Sequence, residues 1–118
     1  ESPFFEFISY EEIFLEERRN FIQAVSHATG FTEDTYTGIE LDLDSIEHVL
    51  SSATTPSGVT ALNARQYLKF TATDAKVAYV HICEGACQMM DGRKDESTGK
   101  LISYLVSDFV KAHQQGRR

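Results

Sequence analysis

The chain has 118 residues, 42% hydrophobic, 25% charged and 11% aromatic, with two prolines and seven glycines: one folded domain, not a disordered, collagen-like or disulfide-built chain. Eleven Lys and Arg against eighteen Asp and Glu leave a formal charge of −7, which repels phosphate backbones and excludes nucleic acid as an expected partner. No run approaches the roughly 20 apolar residues of a membrane span, and the opening ESPFFEF has no leader-like pattern, so a soluble, cytoplasmic protein without membrane partners is expected.

In chain order, three short apolar stretches are each followed by a segment with helical spacing, which predicts the order βαβαβα over a single domain, residues 1–118. Phe4, Phe5, Phe7 and Ile8 form the first strand candidate. Ile13, Phe14, Phe21, Ile22 and Val25 then recur at helical intervals until Gly30 supplies a stop. Residues 38–44 read as the second strand and residues 51–58 as a loop punctuated by Pro56 and Gly58. Thr60 caps a helix carrying Ala61, Ala64, Leu68 and Thr71. Residues 76–83 hold Val77, Tyr79, Val80 and Ile82 in a nearly continuous apolar run, as expected of a strand covered on both faces. After the polar loop MDGRKDESTGK, Leu101, Ile102, Leu105, Val106, Phe109 and Val110 give a broad helical stripe, and the tail HQQGRR is expected to fray. Such alternation argues for a parallel sheet covered by helices.

The second strand holds a local conflict, because Glu40, Asp42 and Asp44 alternate with Ile39, Leu41 and Leu43 and so share one face. On an inner strand, carboxylates there must meet a cation or hydrogen-bond donors. On an edge strand, Glu40 and Asp42 are simply solvated and Asp44 caps the turn at Ser45. Asp42 and Asp44 lie at the carboxyl end, where open α/β sheets place ligands, and Glu84 directly follows the third strand at the same rim. All-oxygen ligands suit Mg²⁺ or Mn²⁺; taken alone, Glu84 also reads as a loop or cap residue.

Other chemistry is weaker. The segment STGK lacks the spacing and hydroxyl of a phosphate loop, and no serine sits in a nucleophile elbow. His81 reads as a buried or hydrogen-bonded strand residue, His48 as a turn surface residue, and His27 and His113 as solvated. Cys83 and Cys87, spaced C-x-x-x-C, read as free packing thiols of a reducing compartment.

The runs GIELDLDSIEHVLSSATTPSGVT, KVAYVHICEGA and TGKLISYLVSDFVKAH resemble, over nearly the whole chain, the C-terminal third of the arginase-type ureohydrolases, and most of all their formimidoylglutamase branch. The resemblance implies a three-layer αβα fold with a parallel sheet, of which this chain is the C-terminal βαβαβα portion. It further implies a binuclear Mn²⁺ site with Asp42 as bridging ligand and Asp44 as ligand of the second ion. Glu84 matches the family's glutamate at the guanidinium or formimidoyl group of a small-molecule substrate. The implied reaction is hydrolysis of N-formimidoyl-L-glutamate to glutamate and formamide, in histidine breakdown. Glu40 stands where the family commonly has Ser, Glu47-His48 replaces a D-P step, and SSATTPSG replaces a GTGTP-type loop. The family's D-A-H-x-D ligand cluster does not occur in these residues, so a longer parent, starting before Glu1, is expected to be the enzyme. No catalytic residue is assigned to this chain, and exposed edges lead to an expected self-association. The alternative is a non-catalytic acidic α/β binding or assembly module; a magnesium-dependent phosphate-handling domain of the receiver type is a third reading.

Overall fold

The computed structural model describes residues 5–116. Its named elements are a π-type turn at Glu11–Leu15, helix α1 at Phe21–Thr32, strand β1 at Thr37–Asp42, a 3₁₀ turn at Leu43–Ser45, helix α2 at Ala61–Thr71, strand β2 at Val77–Cys83 and helix α3 at Ser97–Gly116. β1 and β2 pair in parallel, with Gly38 opposite Tyr79, Glu40 opposite His81 and Asp42 opposite Cys83. α2 provides the crossover that a parallel pair requires.

Side-chain alternation sorts the sheet into two faces. Ile39 and Leu41, with Val80 and Ile82 opposite them, point into a core built from Ala64, Leu68 and Ala72 of α2 and Leu105 and Ala112 of α3. Leu43, Leu68 and Leu105 are completely enclosed. The other face carries Gly38, Glu40 and Asp42 beside Tyr79, His81 and Cys83. It stays largely open, so β2 is covered on one face rather than on the expected two.

Local signals explain the helix limits. Asn20 and Gln23 form a reciprocal capping box at the start of α1, as Thr60 and Asn63 do at α2, satisfying amides that a helix start leaves unpaired. The helix expected to run from Ile13 to Gly30 is two pieces. The chain turns at Glu17, which has φ 53°, and restarts at the Asn20 cap; Gly30, with open space around its α-carbon, lets α1 continue to Thr32. The expected first strand is also corrected: Phe4 lies outside the described residues, and Phe5, Phe7 and Ile8 belong to no strand element, with Phe5 and Phe7 largely exposed.

α2 and α3 are clamped by Arg65, whose Nε and Nη2 donate to the two oxygens of the buried Asp108 at 2.7 and 3.1 Å. The end of α3 does not fray as expected. The His113 ring stacks on Phe109 and donates through Nδ1 to the Ala72 carbonyl at 3.0 Å, which also corrects its reading as solvated. The resulting architecture is α/β, a two-stranded parallel sheet with helices. No described helix is long and apolar enough to cross a membrane.

Candidate functional site

β1 ends two residues earlier than its alternation suggested, at Asp42, and the reason is a side chain. Asp42 Oδ1 accepts the Asp44 amide at 2.8 Å, while the Asp42 carbonyl accepts the Ser45 hydroxyl at 2.6 Å. This Asx-type turn winds Leu43–Ser45 into the 3₁₀ turn. Glu40 and Asp42 therefore share the open face, whereas Asp44 does not continue it. It is half-buried, and its Oδ1 is fully enclosed without a hydrogen-bond partner among the described residues. A carboxylate oxygen in that state requires a donor or a cation.

Both strands run the same way, so their carboxyl ends reach one rim. Glu84 follows Cys83 there in a left-handed conformation, φ 73°, with its side chain exposed. The next residue, Gly85, is pressed on Leu43; a Cβ at that position would overlap Leu43 Cδ1. The turn after β2 thus lies directly on the turn after β1. The Cys83 thiol registers the same gathering: its pKa is raised first by desolvation, then by the negative charges of Asp42, Glu84, Glu40 and Asp44. Asp42 thus ends β1 and Glu84 follows β2 at the same edge of the pair, with Asp44 in the 3₁₀ turn just beyond β1. Cys83 is half-buried and free; Cys87, also free, is exposed rather than a packing residue.

Asp42 and Asp44 suit a hard divalent cation, because they offer carboxylate oxygens and one of these is enclosed and unpartnered. Among the described residues, no group of three or more His, Cys, Asp and Glu side chains is placed to hold a metal ion.

A second polar constellation lies one step down the open face and was not legible as a unit. Glu40 Oε1 accepts the Tyr79 hydroxyl at 3.0 Å, and Oε2 accepts His81 Nδ1 at 2.6 Å. The His81 hydrogen bond, then that of Tyr79, holds the Glu40 carboxyl below its ordinary range, and Glu40 in turn pushes the Tyr79 phenol up. His81 is the hydrogen-bonded histidine expected, although exposed; Glu40 is more than a solvated edge acid. The signal available was the equal spacing of Glu40 and Asp42 with His81 and Cys83. Only the strand register reveals that the two spacings face each other. His48 occupies a surface turn with φ 64°, and His27 pairs with Glu6.

No protein-family model matches the chain, and no curated protein matches it.

Proposed function

We propose that the chain is the C-terminal part of a manganese-dependent hydrolase of the arginase-type ureohydrolases, cleaving a C–N bond of a linear amidine or guanidine. N-formimidoyl-L-glutamate is the substrate the sequence resemblance favours. The observation that carries this reading is the enclosed, unpartnered Asp44 Oδ1 beside Asp42, at the rim where Glu84 also stands. In the proposed three-layer parent fold, residues outside this chain supply the remaining ligands.

Asp42 and Asp44 would hold the metal pair through their carboxylate oxygens, and a binuclear Mn²⁺ centre supplies Lewis-acid activation of water when bound. The chain's own contribution is placement. The hydrogen bond that the Asp44 backbone amide donates to Asp42 Oδ1 holds the Asp42 carboxylate against the turn that carries Asp44 before any ligand arrives. Glu84, which follows β2 at the same edge, would offer an acceptor to the N–H groups of a cationic amidinium. Burial of Asp44 keeps one oxygen away from competing water.

In the complete enzyme, Asp42→Asn is expected to abolish tight Mn²⁺ binding, measured by metal analysis after dialysis, and to reduce turnover by several orders of magnitude while circular dichroism stays unchanged. Asp44→Asn should behave similarly. Unchanged metal content and turnover would overturn the reading and leave the acidic binding module as the one to pursue.

A further inference from the structure

Hydrophobic alternation fixes which face of a strand is buried, but it does not fully fix register. A slip of one residue would turn Ile39 and Leu41 outward and is excluded; a slip of two keeps both strands' apolar residues on the core side. Such a slip would move Glu84 about 7 Å along the sheet relative to Asp42 and Asp44, far enough to separate the rim carboxylates. The pairing is regular from Gly38 onward, after a shift between Thr37 and Gly38, and contacts beyond the core pattern, the packing of Gly85 on Leu43 among them, choose among the even registers.

The open face adds to that choice. Gly38 has no side chain, and the ring of its register partner Tyr79 fills the vacated space; a Cβ on Gly38 would overlap the ring. From this position the Tyr79 hydroxyl reaches one oxygen of Glu40, while His81, two residues further along β2, reaches the other. One carboxylate thus reads two positions of the opposite strand at once. Sliding β2 one way sets Tyr79 against Tyr36, and sliding it the other way sets Tyr79 against Glu40 itself. In both cases the ring meets a side chain instead of a glycine, and Glu40 loses its pair of partners.

The geometry points to a register key: Gly38, Tyr79, Glu40 and His81 lock β1 and β2 in the one even register that aligns Asp42 and Asp44 with Glu84. These are positioning residues, and the consequence at Glu84 rests on the hydrolase reading above; the key itself does not. It also gives a physical reason for a glutamate at position 40, where the resembling family commonly carries Ser.

The test reads register without metal or substrate. In the complete protein carrying Asp42→Cys and Cys87→Ser, the new thiol faces Cys83, at a cross-strand spacing that a disulfide spans. Mild oxidation should give the 42–83 cross-link, read by peptide mass spectrometry. Adding Glu40→Leu should lower its yield about threefold or more, since two hydrogen bonds to one charged acceptor are lost; the cross-link yield should return partly with Glu40→Gln. Should Glu40→Leu fail to fold, the pair Tyr79→Phe and His81→Leu leaves Glu40 in place and must show the same fall. Equal yields in folded variants, or no 42–83 cross-link in the parent, would overturn the key. Neither result depends on whether the protein binds manganese, so loss of the metal reading and loss of this one remain separate outcomes.

Discussion

Glu84 adopts a left-handed backbone conformation without being glycine, a state that costs an L-residue about 1–2 kcal/mol. Its neighbour Gly85 is pressed onto Leu43, so the turn that carries Glu84 is held close against the end of β1. Replacing Glu84 with Gly is expected to raise unfolding free energy by about 0.5–1 kcal/mol, after allowing for the greater freedom of glycine in the unfolded chain. On the hydrolase reading proposed above, the same change should raise KM of the complete protein sharply with manganese content intact. A urea titration checks the first part and steady-state kinetics the second; a loss of stability would mean that the conformation is not strained. Asp44 shows the opposite economy, since its enclosed oxygen gains nothing within the described residues.

Between elements, the strongest polar link is Arg65 to Asp108, joining α2 to α3 through two hydrogen bonds. Asp108 is buried, while the Arg65 side chain is 40% exposed, so solvent screening reduces the value of the pair. Asp108→Ala should lower stability by about 1–2 kcal/mol, seen as a lower denaturation midpoint at unchanged slope. An unchanged midpoint would show that solvent replaces the clamp completely. Legibility at this scale follows the range of the forces. Thr60 and the stripe from Leu101 to Val110 announced α2 and α3 because caps and helical periodicity are local. The pairing of Arg65 with Asp108, 43 residues apart, has no local signature. The same holds for Glu40 with His81. Asp42, Asp44 and Glu84 were recognisable as candidates because strand direction alone brings carboxyl ends to one rim. The early end of β1 was not, because it depends on which amide the Asp42 side chain captures. The N-terminal aromatics suggested a strand by composition, yet Phe5, Phe7 and Ile8 belong to no strand element.

For the molecule as a whole, a two-stranded parallel sheet with one open face is unusual, since parallel sheets are ordinarily covered on both sides. Phe5 and Phe7 are 66% and 76% exposed and border an apolar cavity of about 470 Å³ with Phe21, Phe31 and Tyr67. The isolated chain is therefore expected to self-associate, with a light-scattering mass that rises with concentration above 13.3 kDa. Phe7→Asp should lower that rise, and a constant monomer mass would refute the expectation. The crossover through α2 has a further consequence, one of time. Glu40 and His81 are 41 residues apart, so the two strands cannot meet until the intervening chain has folded back on itself. The helix with its own capping box can form first, from neighbours alone, whereas the contacts that choose among registers come last. Local formation of α2 is therefore expected to precede the alignment of β1 with β2.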